Sequence, residues 1–274
     1  MDAEFTLPGG WLDAGGACHR RGVLRPLAGS DEEWIHSVPA SRPRAAFVTD
    51  LLARCVLRIG GRRATQQVVR ELTIGDREFL VLKLYQATFG DRYAMVLTCP
   101  RAECGAKMDL DLLIEQIPVE ERPLAASYRL ELLEPEPLTV EFRLPRGADQ
   151  ERLAELGDDA TAQRDGLLDA CVVGEAPPAW SREALIAAIE TRAPGVESEL
   201  EVSCPDCGLP FEVELDLASL LLQEVERGRA AFDRELHLLA FHYHWPLREL
   251  YSLTRPRRHR FLRLLMDELG ARAG

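Results

Sequence analysis

The sequence predicts an α+β fold, and three observations support this prediction. A cysteine-bearing stretch occurs twice, as LTCPRAECGAKMDLDL at 97–112 and as VSCPDCGLPFEVELDL at 202–217. Alternating apolar residues, typical of half-buried strands, lie on both sides of each cysteine pair. Before the first copy and after the second, apolar residues recur instead at helical spacing. A repeat of this kind can fix an architecture, so the two copies are expected to form corresponding parts of the fold.

Residues 1–42 are predicted to form an N-terminal arm. Pairs of glycines surround short apolar runs in GGWLDAGG, and CHRRGVLRPL follows, a pattern that indicates a hairpin or an extended arm. Ser30 with Glu33 three residues later has the form of a capping box, which predicts the start of a short helix.

Residues 43–118 are predicted to contain helices and the first cysteine hairpin. Helical spacing over 43–59 predicts one helix, stopped by the glycines at 60 and 61. Asp76 is expected to cap a second helix that ends at Gly90, and strand 92–98 leads into the first cysteine pair.

Residues 119–197 are predicted to form an inserted α/β segment between the two copies, and residues 198–222 the second cysteine hairpin. Within the insertion, two strands joined by a proline-rich turn are expected in 128–144. Helices are expected over 149–156, 160–173 and 182–192, the last capped by Ser181. Strand 198–203 then enters the second cysteine pair, as strand 92–98 enters the first.

Residues 223–274 are predicted to be helical. One apolar stripe runs from Phe232 to Tyr243, Pro246 ends that helix, and Thr254 begins the last one. The last helix carries a dense basic face in an acidic chain, made of Arg255, Arg257, Arg258, Arg260 and Arg263. A basic helix face is commonly just solvated, but its density suggests docking to an acidic protein surface, or less readily to nucleic acid.

Four of the seven cysteines fall in the repeated stretch, as Cys99 and Cys104 in the first copy and Cys204 and Cys207 in the second. Each unit has the form C-P-x(n)-C-G, in which proline fixes the turn and glycine permits the positive φ at its exit. Two such turns with flanking strands predict a split four-cysteine zinc ribbon, because Zn²⁺ takes four tetrahedral thiolates. The alternatives are a degenerate site without metal, or two pairs that bind separately. Cys55 and Cys171 fit plain packing in helices, and Cys18 is expected to be an incidental loop residue.

A site closed by four thiolates has no open position for a substrate, so the expected role of the zinc is structural. CPDC resembles a redox motif, but a strand follows it where a thioredoxin-like helix would be needed. A zinc deaminase would need H-x-E ahead of P-C-x-x-C, and none precedes it. His242 and His244 are expected to be surface and cap residues, and Asp109, Asp111, Glu214 and Asp216 a solvated face. No catalytic centre is predicted.

Charge and length restrict the class of protein. With a formal net charge of −12, the chain does not fit a general nucleic-acid coat, which needs cations to neutralise phosphates. No apolar run approaches the roughly 20 residues that span a bilayer, and MDAEFTLPGG has no secretory pattern. The expectation is a cytoplasmic protein whose partners are other proteins.

The order of several blocks resembles a bacteriophage contractile-tail baseplate protein family, with relatives in phage-tail-like injection systems. The blocks are GGWLDAGGACHRRGVLRPLAGSDEEWI, LTIGDREFLVLKLYQATFGD, the two cysteine units, FRLPRGAD and LAFHYHWPLRELYSLTRPRRHRFLRLL. They cover most of the chain. One departure is Pro246, where a small helix-capping residue is expected, which leaves the start of the next helix open.

The resemblance implies a non-enzymatic part of a contractile machine, acting in the baseplate or in assembly of its hub. It places metal-ligand roles on Cys99, Cys104, Cys204 and Cys207, and a tryptophan-then-arginine block on Trp245 and 255–260. The implied partners are other baseplate or hub proteins, and the implied location is a cytoplasmic particle or its assembly. One rival interpretation is a zinc-ribbon nucleic-acid or transcription module, which the acidic strands KMDLDL and FEVELDL disfavour. The other is a redox or hydrolytic enzyme, which would need an open metal position or a reactive thiol.

Overall fold

A four-stranded antiparallel sheet opens the fold in the computed structural model, which describes residues 2–154 and 160–273. Strands β1 (Ala3–Leu12) and β2 (Cys18–Leu24) form the hairpin that the glycine pattern predicted. Strands β3 (Val56–Ile59) and β4 (Arg62–Arg63) extend the sheet in the order β1-β2-β3-β4.

Four helices pack on this sheet and share its core. They are α1 (Gly29–Ser37), α2 (Arg44–Cys55), α3 (Gln66–Glu71) and α4 (Ile74–Phe89). Helix α4 is buried on most sides, with Leu80 and Leu84 fully covered, and it ends at Gly90 as predicted. Gly90 has φ 102°, a backbone conformation that glycine adopts without strain.

The single helix predicted for 43–59 is wrong in its second part. Helix α2 ends at Cys55, and the next residues form β3, where Val56 pairs with Leu24 of β2. Gly60 and Gly61, at φ 56° and 79°, make the turn between β3 and β4 and do not stop a helix. A short apolar run satisfies both periodicities, and here pairing with the sheet decides between them.

Three predicted helix caps are also corrected. Helix α1 begins before Ser30, and the carboxylate of Asp31 accepts a hydrogen bond from the Ala28 N–H at 2.9 Å. Thr73 caps α4, with Asp76 in its first turn, and Ser181 precedes its helix without a side-chain cap. A capping sequence is short, so a neighbouring residue that satisfies the same orphan N–H groups shifts the start.

Two separate hairpins carry the cysteine pairs. The first joins β5 (Arg92–Thr98) to β6 (Lys107–Leu113), and the second joins β11 (Glu199–Ser203) to β12 (Pro210–Glu214). Both are antiparallel and keep an even register throughout. The strands predicted on either side of each pair are therefore confirmed.

The chain between these hairpins has its own apolar cluster, which includes Val140, Phe142, Leu168 and Leu185. A single turn of 3-10 helix (Ile114–Gln116) leads into this stretch, and β7 (Val119–Glu120) at its entrance pairs with β10 (Gly195–Val196) at its exit. The elements between them are the hairpin β8 (Tyr128–Leu132) and β9 (Leu138–Phe142), helix α5 (Gly147–Ala154), helix α6 (Ala160–Cys171), a 3-10 turn (Ala179–Ser181) and helix α7 (Arg182–Arg192). Helix α5 begins two residues before the predicted 149, and 155–156 of that prediction lie outside the described residues.

The C-terminal part is helical, as predicted, but its first helix begins at Leu217, within the stretch 198–222 that was assigned to the second hairpin, and the short helix Leu247–Ser252 was not separated from its neighbours. It contains α8 (Leu217–Arg227), α9 (Arg229–Tyr243), α10 (Leu247–Ser252) and α11 (Arg255–Ala273). Helix α10 begins directly after Pro246, where a small capping residue was expected. Pro246 is extended at φ −65° and ψ 146°, and the proline ring fixes φ near this value. The stripe of α9 is buried at Phe232, Leu236 and Leu239.

Among the described residues, no helix combines the length and the apolar character that a membrane span requires.

Candidate metal centre

The two cysteine turns have the same backbone design. The Cys99 N–H donates to the Ala106 carbonyl at 2.9 Å, and the Cys204 N–H donates to the Leu209 carbonyl at the same distance. After the second cysteine of each turn, Gly105 and Gly208 have φ 53° and 67°. No neighbouring atom would meet a Cβ at either glycine, so the positive φ is the reason for glycine there. This confirms the predicted role of the C-G step.

The turns face one another and bring the four thiols together. The Sγ atoms of Cys99, Cys104, Cys204 and Cys207 all lie within 4.8 Å of one another. Cys99 Sγ is 3.7 Å from Cys207 Sγ, and Cys104 Sγ is 3.8 Å from Cys204 Sγ. Both short distances run between hairpins, so each copy of the repeat supplies half of one cluster. All four thiols are free of disulfides.

This spacing fits a single tetrahedral ion. With metal–sulfur bonds of about 2.3 Å, as for Zn²⁺, the edge of a regular sulfur tetrahedron is about 3.8 Å. Two of the inter-sulfur distances already have this length, and the longest is 4.8 Å or less. A disulfide would need sulfurs about 2 Å apart, so the geometry is that of a ligand set and not of a bridge.

The electrostatics of the cluster differ from one thiol to the next. Hydrogen bonds from backbone N–H groups, first that of Cys207, lower the pKa of Cys204 to about 7. Burial raises the pKa of Cys99 to about 12. A divalent cation binds thiolates and would displace the remaining protons, so metal affinity at this cluster is expected to rise with pH.

Burial encloses one side of the cluster. Cys99 and Cys204, the first cysteine of each turn, are buried, whereas Cys104 and Cys207 are half-buried. Strand β12 follows the CPDC stretch, so Cys204 does not stand at the start of a helix, where a thioredoxin-like thiol would be activated. The chemistry that this arrangement offers is therefore coordination by sulfur, with thiolates from both hairpins.

The other cysteines stay away from the cluster. Cys55 and Cys171 are fully buried at the ends of α2 and α6, as predicted for packing residues, and burial raises the pKa of both thiols. Cys18 is exposed, although it lies in strand β2 and not in a loop.

The predicted basic face of five arginines is reduced by the structure. Arg258 has no exposed surface, donates to Glu32 Oε1 at 2.8 Å and to Glu235 Oε2 at 2.6 Å, and lies over the Phe232 ring. Arg255 approaches Glu32 at 3.4 Å and stacks over the Phe89 ring. Only Arg257, Arg260 and Arg263 of the five remain exposed. Arg255 and Arg258 therefore contribute to the packing of α11 against α1, through ion pairs with Glu32.

The acidic partners of Arg258 could not be found from the sequence. Glu32 lies 226 positions before Arg258 in the sequence, and Glu235 is on a different helix, so no helical period links either glutamate to Arg258. Burial would raise the pKa of Glu235, but hydrogen bonds from His259 and Arg258 lower it below its usual value. His244 ends α9 in a left-handed conformation at φ 54°, which agrees with its predicted position at a cap.

The fold and the cluster together define a mixed α+β protein in which two hairpins, far apart in sequence, converge on four thiols. Within the described residues, these thiols form the one cluster of side chains that could hold a metal ion.

A protein-family model matches this chain. The model of the T4 bacteriophage base plate protein family matches residues 24–171, which is more than half of the chain. The chain belongs to this family, as its order of blocks suggested. No curated protein and no solved structure matches the chain.

Proposed function

We propose that this chain is a structural or assembly component of the baseplate of a phage-tail-like contractile injection system, and that it acts without catalysis. The observation that carries the proposal is the family match over residues 24–171, because a structural role in the baseplate is what membership in this family suggests. Its partners would then be other baseplate or hub proteins. A cytoplasmic particle, or its assembly, would be the place of action.

We further propose that Cys99, Cys104, Cys204 and Cys207 hold one structural Zn²⁺. The inter-sulfur distances fit the ion, and the four sulfurs would complete its coordination, with no position left for a substrate. The role of the ion would be to fix the first hairpin against the second. The ion would thereby also hold together the two ends of the inserted segment. Its first strand, β7, follows the first hairpin, its last strand, β10, precedes the second hairpin, and the two strands pair with each other.

The rival role as a nucleic-acid module receives no support from the hairpins. Their exposed residues include Asp109, Asp111, Glu201 and Glu212, which would repel phosphates.

Sedimentation of particles from the native host tests the baseplate role. The protein is tagged at its N-terminus, sheathed particles are purified on a gradient, and the position of the tag is measured. Co-migration at a fixed ratio is expected for a built-in component. A tag confined to light fractions, together with loss of particles when the gene is deleted, would instead identify an assembly factor of the same machine.

Particle formation that is normal without the gene would contradict the baseplate role in either form. As a control, a tagged cytoplasmic protein unrelated to the particle should stay at the top of the gradient. The sheath protein, measured on the same fractions, marks the position of the particles.

A further inference from the structure

The structure repeats one arrangement of strand, arginine and helix in its two halves. Arg25 follows strand β2 and Arg143 follows strand β9, and each opens a stretch of the form R-x3-G-x-D whose glycine begins a helix. In both stretches the guanidinium pairs with the aspartate six residues later, Asp31 or Asp149. The same aspartate also accepts the N–H three residues before it, at 2.9 Å in each case.

The repeat continues through the following helices. The sequences LLARCV at 51–56 and LLDACV at 167–172 end α2 and α6. The Arg25 N–H donates to the Cys55 carbonyl at 2.9 Å, and the Arg143 N–H donates to the Cys171 carbonyl at 2.8 Å. The two halves of the chain therefore share more than the cysteine hairpins.

Each R-x3-G-x-D helix crosses a second helix at its N-terminus. Ala28 forms a β-bridge with Thr254, and Arg146 forms the equivalent bridge with Thr73. The backbone bonds correspond as well, since Gly29 donates to Leu253 and Gly147 donates to Leu72, both at 3.0 Å. The second helices, α11 and α4, therefore begin in the same way.

Helices α4 and α11 are equivalent in sequence and in their surroundings at this crossing. Each follows a six-residue helix and begins with the pattern L-T-x3-R. Thr73 corresponds to Thr254, so Arg77 corresponds to Arg258, and both of these arginines are buried.

The equivalent helices differ in what covers their outer face. In α4 the residues Asp76, Phe79 and Leu82 are buried, and the Asp76 carboxylate accepts the Gly9 N–H of strand β1 at 2.8 Å. The corresponding positions of α11 are Arg257, Arg260 and Arg263, and all three are exposed, beside the half-exposed Leu264 and Met266. Strand β1 packs on α4 and contacts the start of this face at Asp76, whereas the corresponding face of α11 is open.

The three arginines form no ion pair with a carboxylate among the described residues, whereas the half-buried Arg255 and the buried Arg258 do. Three guanidinium groups without an ion pair on one helix face, in a chain of net charge −12, form a local surface suited to an acidic element.

The second cysteine hairpin carries a matching acidic face. Glu199 lies opposite Glu214, and Glu201 opposite Glu212, so two pairs of like charges face each other across β11 and β12. All four side chains are exposed, and no described cation forms a salt bridge with them. Directly opposed like charges destabilise a hairpin, and a cationic surface would relieve this repulsion.

We propose that the Arg257, Arg260 and Arg263 face of α11 binds the glutamate face of the β11–β12 hairpin in a second copy of this chain. The contact would place a β-hairpin on α11, as the β1–β2 hairpin lies on α4. The dimensions agree: the three arginines span about 9 Å of helix, and the glutamates span about 7 Å along each strand. The two surfaces differ from each other, so the contact is head-to-tail and can close into a ring.

Sedimentation velocity of the purified full-length protein tests the proposal, over a range of protein concentrations at low and high salt. Self-association is expected at low salt and its loss at high salt, because exposed charge pairs are screened. The variant Arg257→Glu/Arg260→Glu/Arg263→Glu and the variant Glu201→Lys/Glu212→Lys should each associate at least about tenfold more weakly. An equimolar mixture of the two variants should associate again, because each supplies the charge that the other has lost.

Arg63→Glu, an exposed charge reversal on strand β4, is the matched control and should associate like the unchanged protein. Circular dichroism and a thermal melt of each variant verify that the fold is kept. A protein that stays monomeric under every condition would overturn the proposal, also if the arginine face then binds a different acidic protein. Association that both variants retain, or that their mixture fails to restore, would overturn it too. The inference does not depend on the baseplate role, so the two can fail separately.

Discussion

Arg258 and Arg260 lie two positions apart on α11 and have opposite roles. Arg258 is fully buried between Glu32 and Glu235, whereas Arg260 points to solvent. A buried ion pair gains little over a well-packed apolar contact, but removing one partner leaves charge buried without compensation. The two arginines, identical in sequence terms, therefore differ sharply in their expected effect on stability.

We expect Arg258→Ala to lower the free energy of unfolding by about 3–5 kcal/mol, because Glu32 and Glu235 lose their shared cation. Arg260→Ala should change it by less than about 0.5 kcal/mol. Urea denaturation of both variants measures the difference. Equal, small effects would contradict the structural role that we assign to Arg258.

The sequence predicted the basic face as a whole because helical spacing places residues on a face but does not say what covers it. The residues that pair with the buried Arg258 are Glu32, more than 200 positions earlier in the sequence, and Glu235 on α9. The four cysteines were predictable for the opposite reason. Their residue type, turn chemistry and flanking strands all point to the same kind of site.

At the scale of elements, the cysteine turn depends on its glycine. Gly208 has φ 67°, and no atom would contact a Cβ added there, so only the left-handed backbone conformation disfavours a side chain at this position. Gly270 lies within helix α11, where a Cβ would also have open space, but its φ is not positive.

Gly208→Ala is expected to destabilise the protein by about 1–2 kcal/mol, the cost of a left-handed conformation with a Cβ. Gly270→Ala should cause no loss, since alanine has the higher helix propensity. Urea melts of the two variants give the comparison. If Gly208→Ala proved as stable as Gly270→Ala, the turn geometry described here would be wrong.

Elements with a clear period were predicted well, as in strand 92–98, the strands of 128–144 and the stripe of α9. The error at 56–59 has a physical cause. The apolar residues of this run fit a helix, but pairing with β2 satisfies their backbone groups in the sheet. The short helix α10 was not separated from its neighbours, because six residues give too few repeats of a helical period.

On the scale of the whole molecule, the cysteine cluster joins hairpins that are 99 residues apart, counted between Cys104 and Cys204. A bound ion at this point would close a long loop, which constrains the unfolded chain as well as fixing the folded one. Loss of one ligand should therefore affect the stability of the whole chain and not only the local turn.

We expect purified protein to carry about one Zn²⁺ per chain, and Cys204→Ser to lose it together with about 4 kcal/mol or more of stability. Cys18→Ser is the matched control, because Cys18 is exposed and outside the cluster. Elemental analysis and thermal melts of the three proteins measure both effects. Zinc-free protein with an unchanged melt in Cys204→Ser would refute the metal site.

The two helix crossings are nested along the chain, and this has a consequence for synthesis. The crossing of Thr73 with Arg146 lies wholly inside the stretch bounded by Ala28 and Thr254. During synthesis, the inner crossing can form once residue 149 has left the ribosome, whereas the Glu32 carboxylate of α1 must wait for α11 to bring Arg258. Helix α1 therefore gains this partner only after all of the residues between Glu32 and Arg258 have been made. Until α11 has emerged, the Glu32 carboxylate lacks its cation, and a truncated product without α11 never completes this contact.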